Sequence, residues 1–323
     1  MATRLAEETV ANDEAEAVQE FVAFLKEAST RRAEKTHGPV RRFNQTRAAG
    51  CVDAEFVVPG DLPASLQVGL FARPASYQAR IRFASATSQS DSEADIRGMS
   101  IKVMNVPGEN LTAGVSDQDF VLNSQPVMMA SDTRGFLEFL HAVEAHGFET
   151  GAYLLKHPKV AIMLAQARKH HSCHLDISYW SATPYLFGEG RAVKYSAWPT
   201  SAQRSPDPPH KPSAGYLTDA LIARLAEGEA SFDLRVQLQT DPVKMPIEDA
   251  MAEWSEHDSP YLRVATIRIP SQRFSDTEQS QACEAMRFDP WHALSAHRPL
   301  GGMNRARRAI YTAMADFRLG VGR

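Results

Sequence analysis

Four short runs in the first half of the chain limit its fold more than any other feature: residues 54–58 (AEFVV), 78–84 (QARIRFA), 99–104 (MSIKVM) and 119–122 (DFVL). Each is rich in β-forming residues and bounded by Pro, Gly, Asp or Ser. Residues 191–198, 231–240 and 261–269 form a second set; in the middle one Phe232, Leu234, Val236 and Leu238 alternate with polar residues, the period of a half-buried strand. Short strands at this spacing predict an antiparallel sheet curled into a barrel. Helical periodicity lies outside them. Residues 13–35 carry an apolar stripe of Val18, Phe21, Val22, Phe24 and Leu25, with Asn12 or Asp13 as cap and a stop at Gly38-Pro39. Residues 134–145 and 151–169 read as two more helices on the outside of the sheet. The stretch 201–213, with Pro206, Pro208, Pro209 and Pro212, reads as a loop because strands continue on both sides. The expected class is α+β: an antiparallel β-barrel core with surrounding helices, comprising an N-terminal helical arm over 1–35 and a single domain over 36–323.

With 323 residues, 43% of them hydrophobic, the chain can build one large or two small cores. A net charge of −4 argues against nucleic acid or a membrane surface as partner. The three cysteines, Cys51, Cys173 and Cys283, match neither a zinc pattern nor a disulfide framework. They point to a reduced, cytoplasmic setting. The first residues are polar and acidic, unlike a secretory signal, and no run of about 18 apolar residues is present to span a membrane. The cluster His170, His171, Cys173 and His174 is too tightly spaced for an ordinary tetrahedral metal site.

The stretch 304–320 (NRARRAIYTAMADFRLG) carries chemistry on one face. Arg307, Tyr311, Met314 and Arg318 recur at helical spacing. A guanidinium one turn before a phenol can hydrogen-bond a phenolate oxygen, the form in which tyrosine ligates a trivalent metal. Arg318 lies about 10 Å further along the axis, the reach from a metal at the centre of a large planar cofactor to an acid on its rim. Ala306, Ala309, Ile310, Ala313 and Phe317 could pack on the body of the protein. Taken alone, the pattern also fits a surface helix with one half-buried tyrosine.

Arg307-x-x-x-Tyr311 followed by Arg318-Leu319-Gly320 resembles the proximal helix of haem catalases, where the tyrosine is the axial ligand of iron. Three other segments match that family in the same order. Thr36-His37-Gly38 resembles the distal histidine region. The run from Arg80-Ile81-Arg82-Phe83 to Arg97-Gly98 resembles barrel strands that hold a haem propionate, and Asn123 matches an asparagine facing bound peroxide. The resemblance implies a single catalase-like domain around haem b, with Tyr311 as iron ligand and Arg307, Arg82, Arg97 and Arg318 as cofactor-binding residues. His37, Asn123 and Thr36 would then be catalytic, and the substrate a small-molecule hydroperoxide.

Departures from the family point away from fast hydrogen peroxide dismutation. The allene oxide synthase and hydroperoxide lyase branch is similar in having a threonine before the histidine. A hydroxyl there could bond the imidazole. Glu34 stands where a third propionate arginine is expected, leaving Arg31, Arg32 or Lys35 as replacements. Ala84 replaces a serine, and Met128 and Met129 replace aromatics, opening an adaptable apolar pocket. Organic or fatty-acid hydroperoxides are therefore the preferred expectation. The alternatives are a small catalase or peroxidase acting on hydrogen peroxide, a non-catalytic haem-binding protein, and a haem-free barrel. The N-terminal helix and the Pro-rich loop are possible homo-oligomer contacts.

Overall fold

In the strand β1 (Arg47–Val58), Val52, Ala54, Phe56 and Val58 are buried while Asp53 and Glu55 are exposed. That period of two sends one face into a core and the other outward. The computed structural model describes residues 4–320 apart from 202, 209, 275 and 276. Pro209 and the outermost residues of both expected domains thus lie outside the described residues. Strands β2 (Ala75–Ser85), β3 (Arg97–Val103) and β4 (Gln118–Asn123) follow β1 antiparallel in sequence order. On the other side of β1 come β9 (Leu262–Ile269), β8 (Ala230–Leu238) and β7 (Ala192–Pro199). The two-residue β5 (Tyr179–Trp180) pairs with both β4 and β7, closing a ring of eight strands, and β6 (Tyr185–Leu186) hangs on β7 outside it. The barrel expected from the short strands is present, and each of the seven expected strands overlaps one of these elements, four of them overrunning it by one or two residues.

Side chains fill the lumen. Phe56 stacks on Phe120 with ring centroids 5.9 Å apart, Phe120 meets Tyr195 edge-on at 5.0 Å, and Ile81, Phe83, Met99, Ile101 and Phe232 pack around them. Each such side chain contributes about 1.5–3 kcal/mol by burial. The barrel is thus a core rather than a container.

The helix α1 (Glu14–Thr36) buries Ala17, Phe21, Phe24, Leu25 and Ala28 at helical spacing. It packs on α2 (Thr133–Ala145) and on α7 (Gly302–Leu319), so the expected arm is tied down at the barrel's side. Asp13 occupies the N-cap but makes no side-chain cap bond, pairing instead with Arg134. The helix expected over 151–169 is two helices, α3 (Phe148–Lys156) and α4 (Pro158–Ala167). Pro158 cannot extend the preceding helix and starts a new one at its first turn. Two helices were not foreseen. The helix α5 (Tyr216–Glu227) puts Leu221 and Leu225 into the main core, and α6 (Thr277–Ala285) is polar throughout most of its length.

A further correction concerns the cysteines. Cys51 and Cys283 form a disulfide between β1 and α6, with Cα atoms 6.2 Å apart, and Cys173 is buried and unbridged. Sequence spacing conceals this pair because 232 residues separate its members. No helix of the described residues is long and apolar enough to cross a membrane.

His297, fully buried, accepts the Leu70 N–H on Nε2 at 3.1 Å and pairs through Nδ1 with the Tyr195 hydroxyl at 3.1 Å. Burial pushes its pKa down to about 4, although the Leu186 and Val68 backbones oppose this. Between about pH 6.5 and pH 4 the unfolded chain therefore binds a proton that the folded chain does not. Stability is lost as pH falls through that window, by up to about 1.4 kcal/mol per pH unit. His297→Gln is expected to flatten the pH dependence of the urea midpoint by about one proton; an unchanged slope would show that His297 does not resist protonation.

Candidate functional site on the outer barrel wall

Residues paired directly across antiparallel strands point to the same face, and the register places a polar row on the barrel's outside. Cys51 opposes Arg82, Arg82 opposes Ser100, and Ser100 opposes Val121. One step along, Ala84, Gly98 and Asn123 form the neighbouring row. Gly98 carries no side chain there, and a Cβ would collide with the Gln45 amide lying over it. Across from this wall stand α1, α2 and α7. Between them lies a cavity of about 1900 Å³ lined by Arg82, Ser100, Val121, Asn123, Phe136, Leu140, Arg307, Tyr311, Met314 and Arg318 among others.

The helix α7 supplies much of the site's lining. Gly301, at a φ of 86°, turns the chain where a Cβ would collide with the Ile247 carbonyl. Gly302, Met303, Asn304, Ala306 and Ile310 form the buried face, leaving Arg307, Tyr311, Met314 and Arg318 toward the cavity. The helix ends in left-handed Gly320. Arg305 fastens its start to Glu14 and Glu248, and Glu8 accepts from the Gly301 N–H at 2.8 Å.

Arg307 Nη2 donates to the Tyr311 hydroxyl at 3.1 Å, and Arg307 Nη1 donates to Asn304 Oδ1 at 3.1 Å and Thr183 Oγ1 at 3.3 Å. Burial alone would depress this guanidinium. Tyr311, Tyr185 and Asp289 outweigh it and hold Arg307 above its ordinary value. Asn304 is fully buried and donates through Nδ2 to the Pro184 and Leu300 carbonyls at 2.8 and 3.0 Å. It therefore holds Arg307 in register with the barrel strands.

Arginines also converge at the far end of the cavity. Arg82, only 2% exposed, donates through Nη2 and Nε to Glu284 Oε1 at 2.8 and 3.2 Å and through Nη1 to the Gln45 carbonyl at 3.0 Å. Arg42 pairs with the other Glu284 oxygen and donates to the Met286 carbonyl at 2.8 Å, while Arg318 donates to the Glu284 carbonyl. Burial and then Arg82 press the Arg42 guanidinium down to about 9. Burial would raise the Glu284 carboxyl, but Arg82 and Arg42 hold it below the usual range.

Of the expected site residues, the structure brings Thr36, Arg82, Asn123, Arg307, Tyr311 and Arg318 onto one cavity. Two stand apart. Arg97 is fully buried off the cavity, its guanidinium bonded to Ser85 Oγ and the Glu93 carbonyl, so it braces the barrel end instead of facing a ligand. His37 is exposed in the left-handed C-cap of α1, at a φ of 49°, and is not on the cavity lining although Thr36 and Gly38 are. The Thr36 hydroxyl bonds back to the Arg32 and Ala33 carbonyls rather than to an imidazole. Asn123 Oδ1 accepts from the Gln125 N–H at 2.8 Å, and no described residue accepts from its Nδ2.

Sequence reasoning missed Arg42, Glu284 and Asn304. Arg31 and Arg32, two of the expected third cations, pair with Glu27 and Glu144. Arg42 is the arginine that joins Arg82 and Arg318 around Glu284, and its position in an Arg41-Arg42-Phe43 run shortly after the first helix was a usable signal. The lining histidines are His146 and His292, the latter with Nδ1 3.0 Å from Asp119 Oδ2.

Asn304→Ala would leave two carbonyls and the Arg307 and Thr183 donors without their buried partner. A loss of about 2–4 kcal/mol in urea denaturation is expected. A change under about 0.5 kcal/mol would show that water replaces those bonds.

No protein-family model matches the chain. It is 27% identical over 262 residues to a catalase-related peroxidase of Mycolicibacterium paratuberculosis, covering 76% of this chain and 79% of that protein. A bacterial catalase superposes with a TM-score of 0.70 at 14% identity, covering 100% of this chain but 64% of the catalase, so the chain spans less than two thirds of its length. A fungal catalase superposes with a TM-score of 0.69 at 15% identity, covering 99% of this chain and 66% of the other. With its closed barrel and the seven helices of the described residues, the chain has the fold of these catalases, and its sequence is similar to that of the mycobacterial catalase-related peroxidase.

Proposed function

We propose that the chain is a haem-dependent enzyme acting on hydroperoxides in the manner of a peroxidase, with organic and fatty-acid hydroperoxides as its preferred substrates. The observation that carries this reading is the Arg307–Tyr311 pair on the wall of the cavity. A phenolate oxygen bonded by a guanidinium would be a hard anionic donor suited to ferric iron. Phe136, Leu140 and Met314 give the cavity apolar flanks, and the arginine cluster stands about 10 Å along α7 from Tyr311. That donor set fits iron protoporphyrin IX, haem b. Tyr311 would hold its iron, Arg307 would support Tyr311, and Arg82, Arg318 and Arg42 would pair with its carboxylates. When bound, haem supplies the cleavage of the peroxide O–O bond.

The remaining work falls to the chain. Asn123 Nδ2, at the end of β4, can donate to a peroxide oxygen without adding charge to the site. His37 is assigned the proton transfer between the two peroxide oxygens. Its backbone lies between two lining residues, Thr36 and Gly38, and the role requires its imidazole to turn toward the cavity. The cavity's volume supports room for an organic substrate beside the cofactor. At about 1900 Å³ the cavity exceeds the roughly 300–1,000 Å³ of ordinary small-ligand sites, and Met128 and Met129 give it adaptable apolar edges. The mycobacterial relative, a catalase-related peroxidase, supports the peroxidase part of the reading.

Protein loaded with haem should show a Soret band that survives gel filtration, and Tyr311→Phe should lose most of it. His37→Ala should keep the band while consuming a polyunsaturated fatty-acid hydroperoxide about a hundredfold more slowly or worse. Rapid oxygen release from hydrogen peroxide with the lipid substrate ignored would replace the substrate class by that of a small catalase. A Soret band without turnover of any hydroperoxide would leave a haem-binding protein, and no Soret band in the unmodified chain would overturn the reading.

A further inference from the structure

The cavity's arginine cluster already holds a carboxylate of the chain's own, and the fold puts it there by two linked pairings. Cys51 and Arg82 oppose one another across β1 and β2, so both side chains emerge on the same outer face of the barrel. The Cys51–Cys283 disulfide brings α6 onto that face. Glu284, the residue after Cys283, then reaches Arg82 at 2.8 Å and also pairs with Arg42. Gln279 Nε2 donates to the Cys51 carbonyl at 3.3 Å, a second tie between α6 and β1.

The side-on fork of Arg82, formed by Nε and Nη2, is wholly occupied by Glu284 Oε1. A carboxylate entering from the cavity cannot use that bidentate geometry while Glu284 does. Glu284 can leave. Its side chain is 43% exposed, so water is available to it outside the cluster, whereas Arg82 is 2% exposed and has no such exit. Three guanidiniums around a single carboxylate also leave the cluster with an excess of positive charge.

We infer that Glu284 is a tethered internal carboxylate that competes with the rim carboxylates of the planar cofactor for Arg82 and Arg42, and so sets how tightly that cofactor binds. The inference rests on the haem reading above and deepens it. No bond is made or broken: one carboxylate replaces another on the same guanidiniums.

The test is a titration of apoprotein with haem, followed by the Soret band, in the unmodified chain and in Glu284→Gln. The glutamine keeps the shape and removes the charge. It is expected to bind haem roughly tenfold more tightly, the order of one charge-assisted pair. With haem dimethyl ester, which lacks the competing carboxylates, the two proteins should bind alike. The double variant Cys51→Ser/Cys283→Ser releases the tether without altering charge and should tighten haem binding by a smaller factor. Equal or weaker haem binding by Glu284→Gln, with circular dichroism unchanged, would make Glu284 an organiser of the arginines and overturn the inference while leaving the haem reading intact. A gain that persists with the ester would overturn it too. Failure of the unmodified chain to bind haem at all would remove both. No change in the double cysteine variant would overturn the role of the bridge.

Discussion

The architecture depends on closure of the barrel at its weakest point. The two residues of β5 join β4 to β7: Trp180 opposes Asn123 on one side and Ser196 on the other. Without them the other seven strands of the ring would leave two open edges, each a row of unpaired backbone groups. The join is reinforced from within. The Tyr179 hydroxyl donates to the His174 carbonyl at 2.9 Å, and Ser196 Oγ donates to the Tyr179 carbonyl at 2.9 Å. Closure packs the lumen with aromatic and aliphatic side chains and so confines ligand space to the outside of the wall. It also fixes Asn123, because the residue that places the end of β4 is the same Trp180 that completes the ring.

Given a closed wall, alternation decides which residues can meet a ligand. Even-numbered positions of β2 and β3, such as Arg82 and Ser100, face outward, while Ile81, Phe83, Met99 and Ile101 fill the core. Helices must cover such an outer face if it is to be dry. Three of them do: α1, α2 and α7 share an apolar cluster of Phe21, Phe24, Leu25, Leu137, Ala306 and Ile310. The cavity is the gap they leave against the wall, apolar on the helical side and cationic where arginines cross from strand to helix.

Much of this was legible because it obeys local rules. The strand runs alternate, the first helix carries a stripe and a Gly-Pro stop, and Arg307 and Tyr311 are one helical turn apart. What escaped depends on partners distant in sequence. The helix α6 is polar nearly all round and offers no periodicity, since it is anchored by one disulfide and by polar ties rather than by an apolar stripe. The break at Pro158 was readable from proline chemistry but hidden by an apolar pattern continuing on both sides. Arg97 and Arg82 look equivalent in sequence, one opening a barrel strand and the other near the end of one. Register separates them: Arg97 shares the inward parity of Met99 and Ile101 and is consumed by Ser85 and Glu93, whereas Arg82 shares the outward parity of Ser100. His37 illustrates the limit from the other side, for a motif fixes where the backbone goes but not which way a C-cap side chain turns.

The Cys51–Cys283 bridge matters as well to the unfolded chain. It closes a covalent loop across 232 residues, taking in every barrel strand after β1. Tying so long a loop removes chain freedom worth about 5 kcal/mol from the disordered ensemble. The residues left outside the loop are α1 with the segment before β1 at one end, and the approach to α7 with α7 itself at the other. They include two of the three helices that roof the cavity, α2 lying within the loop. The barrel strands from β2 to β9 therefore stay within one covalent loop whether or not α1 and α7 are folded.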